Sequence, residues 1–360
     1  MSASQDGPLH DAISGGHMVI CAGPGGVGKT TVAAALALQG ARLGRRCCVI
    51  TVDPAKRLAD ALGVGQLTNQ PSEVQGPFSG SLHALMLDAG GTFDDLVDRY
   101  ASSATQGSEI KSNRIYQNLV SRLSGTQEYM ATEKLFELAE GGRFDLVVVD
   151  TPPTRHALDL LDAPRRLTRF LEHRLFRALS GPTRTSMRLV ALAAQALLRT
   201  IAKIAGGEIV EDALEFFRGF EGMEEGFLTR SRAVRGMLTD PETAYVLVTS
   251  AKADSIEEAV YFADRLSEDG LAPVAVVVNR IHPDFGTLQT APGSAADPAL
   301  RALFANHERL SAAAARERSA LAGLATAVPS ALSCVPLFTS DVHDLAGLGA
   351  LADRLFLGDV

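Results

Sequence analysis

Eleven residues near the start of the chain, Cys21-Ala22-Gly23-Pro24-Gly25-Gly26-Val27-Gly28-Lys29-Thr30-Thr31, fit the spacing G-x-x-x-x-G-K-[ST]. That spacing cradles phosphates. Glycines let the backbone approach an anion closely, and N–H groups left unpaired at a helix start point at it. Gly23, Gly25, Gly26, Val27, Gly28, Lys29, Thr30 and Thr31 are therefore the candidate phosphate ligands. Lys29 is placed to reach the outer phosphates, and the Thr30 hydroxyl to bind Mg²⁺. The bland alternative is a glycine-rich turn with a chance lysine. Context argues against it. His17 to Cys21 (HMVIC) is an apolar run of strand length, and Thr31 to Ala41 (TVAAALALQGA) reads as a helix.

Phosphoryl transfer also needs a held cation and an oriented nucleophile. Two acids close apolar, strand-like runs: Asp150 after Leu146-Val147-Val148-Val149, and Asp53 after Arg46 to Val52. Strand C-termini of a parallel sheet gather at its ligand edge. Asp150 is thus a candidate for holding Mg²⁺, directly or through water, and Asp53 for orienting water. Each could instead cap a helix, a common fate of Asp at a strand end.

The rest of the chain supplies the frame. Further strand-like runs lie at Leu82–Leu87, Thr243–Thr249, Ala272–Asn279 and Ser333–Leu337. Helical stretches are expected at 92–103, 129–138, 255–269, 297–324 and 341–356. Apolar strands alternating with helices predict an α/β fold, a doubly wound and mostly parallel sheet of the P-loop NTPase kind. The 360 residues carry a net charge of −8, which disfavours nucleic acid as a partner. No signal peptide or membrane-spanning run is visible, and four cysteines in apolar runs fit a reducing compartment. A cytoplasmic protein is expected.

The segment 164–240 breaks the strand–helix rhythm. Its first half is basic and its second acidic. Arg184, Arg188, Gln195, Arg199 and Lys203 fall on one helical stripe, and the rest of that helix is apolar. Such an arc is either sandwiched between helices or open to an apolar partner. The expected division is an ATPase-type core at 1–103, 141–163 and 241–360, and a helical subdomain at 104–140 and 164–240.

Taken together, these motifs resemble the ArsA/Get ATPases, the P-loop family of arsenite pumps and tail-anchored-protein targeting factors. The resemblance runs nearly end to end. It rests on Gly25-Gly26-Val27-Gly28-Lys29-Thr30-Thr31 and on Asp53-Pro54-Ala55 with Leu58. It also rests on Gly125-Thr126-Gln127-Glu128, Asp150-Thr151-Pro152-Pro153-Thr154-Arg155-His156, Val278-Asn279-Arg280 and Val335-Pro336-Leu337. The resemblance implies a Mg²⁺-ATP-binding ATPase whose two subunits sandwich two nucleotides. It implies that Asp53 activates water and that Asn279 recognises adenine, helped by the loop at Pro336 and Leu337. The partner is a second copy or a paralogue. A hydrophobic or membrane-associated client of the helical subdomain is also implied, with a place at the membrane periphery.

Two departures qualify these expectations. The family's first P-loop lysine, which reaches across the dimer, is Pro24 here. Proline has neither charge nor N–H; Lys56 and Arg57 are the nearby candidates to replace it. No cysteine lies between 49 and 333, so neither metalloid ligands nor a zinc C-x-x-C has a counterpart. A weakly hydrolysing subunit of a heterodimer is the alternative that Pro24 keeps open, and an arsenical pump is a weaker one.

Overall fold

Valine- and isoleucine-rich runs too short for helices set the frame, because β-branched side chains fit a pleated, buried surface. In a computed structural model, which describes residues 7–53, 57–122, 126–172, 212, 215–288 and 297–357, they form one sheet. Its strands are β1 (Met18–Ala22), β2 (Arg46–Thr51), β3 (Ser72–Val74), β4 (Ser81–Met86), β5 (Leu146–Asp150), β6 (Thr243–Ser250), β7 (Pro273–Ile281) and β8 (Ala331–Pro336). Their order is β3-β4-β2-β5-β1-β6-β7-β8. All pairings are parallel except β3 with β4. The α/β P-loop fold expected from the sequence is thus the fold observed.

The chain divides into two units. Unit 1 comprises Met1–Met86, Gly141–Ala157 and Pro241–Val360, and unit 2 comprises Leu87–Glu140 and Leu158–Asp240. Unit 1 holds the sheet with α1 (Pro8–Ser14), α2 (Lys29–Arg42), α3 (Arg57–Leu62), α10 (Ala253–Glu268), α11 (Pro298–Ala327) and α12 (Leu345–Leu357). Unit 2 holds α4 (Ala89–Tyr100), α5 (Ala104–Ser112), α6 (Arg114–Arg122), α7 (Thr126–Glu140) and α9 (Glu224–Leu238). The division falls inside α8 (Thr154–Glu172).

In unit 1 the four strands β2, β5, β1 and β6 are buried along nearly their whole length. Each fully buried Val or Ile contributes about 1.5–3 kcal/mol. α2 packs on β2 and β5 and lies beneath α12. Its small buried residues Ala33, Ala34, Ala35, Ala37 and Ala41 allow that close approach. All four cysteines are free, as their strand context predicted; Cys21, Cys47 and Cys48 are buried and Cys334 partly so.

Unit 2 has its own aromatic core, in which Phe93, Tyr116, Tyr129, Phe216, Phe220 and Phe227 are buried together. An ion pair is buried there too. Arg230 bonds Glu133 and Glu140, and its guanidinium lies 4.1 Å from the centre of the Phe136 ring. Burial pushes the Glu133 carboxyl up, against the pull of Arg230. The first unit boundary falls after Met86, not at 103 as the sequence suggested. α4 carries Phe93, Leu96 and Val97 into the aromatic core and packs on α7, so it joins the helices. The basic stripe of 184–203, Lys56 and Gly125 lie outside the described residues.

Candidate active site

β1 ends at Ala22 and α2 begins at Lys29, so Gly23–Gly28 is the loop between the central strand and its helix. Two of its glycines have no substitute. Gly23 sits at φ +150°, and a Cβ there would meet the Val248 carbonyl oxygen at 1.9 Å. Gly28 sits at φ +97°, and a Cβ there would meet the Asn279 amide nitrogen at 2.4 Å. A backbone carbonyl in a central strand cannot yield as a side-chain end can. Gly23→Ala is therefore expected to lower the melting midpoint of the nucleotide-free protein by several degrees, about 2–4 kcal/mol. An unchanged midpoint in a thermal scan would refute this.

Lys29 curls back into the loop. Its Nζ donates to the carbonyls of Gly23 at 3.0 Å and Pro24 at 2.8 Å, and the residue is buried. Burial pushes the Lys29 ammonium down, while Asp150 and Asp53 pull it up. A buried ammonium aimed along the loop is poised to exchange two carbonyl partners for stronger, charge-assisted bonds to phosphate oxygens.

Asp150 closes β5 next to the loop. Its Oδ2 accepts from Thr30 Oγ1 at 2.8 Å and from Thr51 Oγ1 at 2.9 Å. Its other oxygen, Oδ1, is buried with no hydrogen-bond partner among the described residues. Burial pushes this carboxyl up to about 6, against the pull of Thr30, Thr51 and Lys29. Its acceptor contacts are thus side-chain hydroxyls, not the N–H groups that a helix cap would take. An unpaired buried carboxylate oxygen beside a threonine hydroxyl is a hard-oxygen pair, which suits Mg²⁺.

One cavity of about 570 Å³ gathers Gly25, Gly26, Gly28, Lys29, Thr30, Thr31 and Asp53. Arg57, Asp60, Arg280 and Val342 complete much of its wall. Asp53 is held by its own N–H on Thr51 Oγ1 at 3.2 Å. The carboxylate partner Thr51 thus ties Asp53 and Asp150 together, a link that sequence reading missed. Its only signal was a threonine two places before a strand-end acid.

The expected adenine residues Asn279, Pro336 and Leu337 are not among the residues lining that cavity. Asn279 is buried and donates to the Val27 carbonyl at 2.8 Å, while its Oδ1 accepts from the Arg280 N–H at 2.9 Å. In this state its amide braces the P-loop. Pro336 pairs with Ile281 at the end of β8, and the Leu337 N–H donates to the Ile281 carbonyl at 2.8 Å. The Leu337 side chain is exposed.

Comparison with known proteins decides the family. The family described as anion-transporting ATPase matches residues 16–289, from before the P-loop to beyond Arg280. The chain belongs to the ArsA ATPase family. It is similar to ATPase GET3 of Malassezia globosa, 26% identical over 77% of this chain and 74% of that one. It is similar to an uncharacterized protein of Streptomyces coelicolor, 33% identical over 74% of this chain and 63% of that one. It also resembles ATPase get3 of Aspergillus niger, 27% identical over 73% and 72%. This ArsA-family chain is accordingly an ATP-binding protein and an ATPase, as its P-loop predicted. Among the described residues, no helix is long and apolar enough to cross a membrane.

Proposed function

We propose that this ATPase acts as a Mg²⁺-dependent dimer whose nucleotide cycle reshapes its helical unit. The observation that carries the catalytic part is the convergence of Lys29, Thr30 and Asp53 on one cavity, with Asp150 bonded to Thr30. Lys29 and the loop N–H groups bind the phosphates. Asp53 orients the attacking water and accepts its proton. Thr30 and Asp150 would hold the magnesium ion, which supplies charge neutralisation on the phosphates when bound.

Dimer formation rests on the family reading, which leaves the second subunit a second copy or a paralogue. Pro24 makes this testable, since the position that carries a trans-acting lysine elsewhere in the family has no charge here. A heterodimer with a paralogue is the second reading, favoured by that same residue. Handling of a hydrophobic client falls on the helical subdomain, 104–140 and 164–240, and rests on the apolar arc and basic stripe of 184–205, which lie outside the described residues.

The test is steady-state ATP hydrolysis across a protein concentration series, for wild type and Pro24→Lys. Turnover per chain is expected to rise with concentration, and Pro24→Lys to raise it further where dimers form. Turnover independent of concentration, with the chain sedimenting as a monomer across the series in the presence of ATP, would overturn the dimer. ATP binding without turnover would favour the heterodimer subunit.

A further inference from the structure

At the end of β7 the pairing with β8 slips. Val278 lies opposite Cys334 but Ile281 lies opposite Pro336, so three steps along β7 match two along β8. The extra residue makes a bulge at Asn279 and Arg280. Arg280 sits there at φ +62°, the one non-glycine residue at positive φ among the described residues. Bulges re-aim side chains, and a residue with a Cβ in the left-handed region is strained. Strand neighbours point to opposite faces. Here both turn onto one loop: Asn279 donates to the Val27 carbonyl, and Arg280 Nη1 donates to the Gly26 carbonyl at 3.2 Å.

The guanidinium has further N–H groups. Among the described residues it makes that one hydrogen bond and no ion pair, and it is exposed on the wall of the nucleotide cavity. The strained backbone thus delivers a cation to the wall of a phosphate site, where its one described side-chain bond is to a neutral carbonyl. We propose that Arg280 is a phosphate-binding residue of this ATPase, resting on the Gly26 carbonyl when no nucleotide is present and turning to the polyphosphate chain of ATP when it is. It supplies from its own chain a positive charge at a P-loop whose position 24 has none. The proposal rests on the ATPase reading of the same cavity.

The test is calorimetric titration of the full chain with ATP, ADP and adenosine in magnesium buffer, for wild type, Arg280→Ala, Arg280→Lys and Arg280→Gly. Losing one charge-assisted contact weakens ATP binding about 10–100-fold. Arg280→Ala and Arg280→Gly are expected to show that loss for ATP, with adenosine unchanged, and Arg280→Lys to recover part of it. Arg280→Gly also relieves the positive φ, so its nucleotide-free melting midpoint should be no lower than that of wild type. ATP affinity within twofold of wild type in Arg280→Ala would overturn the proposal. So would an equal loss for adenosine, which would mean that Arg280 only shapes the loop or the base site. Wild-type protein that bound no ATP would sink the nucleotide reading itself, a result distinct from either.

Discussion

Asp53→Asn should abolish most hydrolysis while leaving ATP bound. Asp53 lies on the cavity wall with Lys29 and Thr30, and its backbone is fixed by Thr51. Its charge is felt at both Lys29 and Asp150. Asparagine keeps the shape and removes the proton acceptor. General-base catalysis is worth about 10²–10⁴-fold, so kcat should fall by about that factor. The KM for ATP should move by no more than about threefold, because binding rests on the P-loop. Rapid-quench and steady-state assays read both. A kcat within threefold of wild type would remove Asp53 from the chemistry and leave Asp60 or a water chain in its place.

Asp150→Asn should make the nucleotide-free protein more stable at alkaline pH and inactive at every pH. The sign follows from the carboxyl's position. Its folded value is pushed up to about 6, above the ordinary unfolded value, because burial penalises the charged form more than Thr30, Thr51 and Lys29 favour it. The neutral acid is therefore tolerated, and stability is lost as pH rises from about 4 through 6. Above that range the folded protein carries a buried carboxylate at a cost of about 2–3 kcal/mol. Asparagine cannot titrate. With chelator present, the variant should melt higher than wild type at pH 8 and level with it near pH 4. At pH 8, magnesium and ATP together should raise the wild-type midpoint and leave the variant's nearly unmoved. A variant less stable than wild type at pH 8 would mean that the carboxylate is better solvated than its buried, unpaired Oδ1 indicates.

The site's skeleton was legible because it is written locally. Strand, glycines, Lys29-Thr30 and helix are contiguous, so one stretch of sequence specifies both the loop and the elements that hold it. Asp53 and Asp150 were legible because each closes an apolar run. What was not legible depends on pairing between distant segments. β3 is a three-residue antiparallel edge, Ser72–Val74, with no apolar run to announce it. The run Ala272–Asn279 looks like an uninterrupted strand, and nothing in it reveals the slip at its end that turns Arg280 onto the loop. α4 shows helical periodicity, yet periodicity does not say which of two cores its apolar face joins. The brace from Asn279 to Val27 spans 252 residues, a contact that only the folded sheet creates.

The two bonds that hold Lys29 in place end on main-chain oxygens, those of Gly23 and Pro24. A main-chain acceptor is present whatever amino acid is encoded. Both acceptors therefore survive a change at codon 24, and what a new residue there must satisfy is the buried place that the Pro24 ring fills. A lineage can change that codon and keep both partners of Lys29, so the limit on variation there is the space around the proline ring and not the bonding of the lysine.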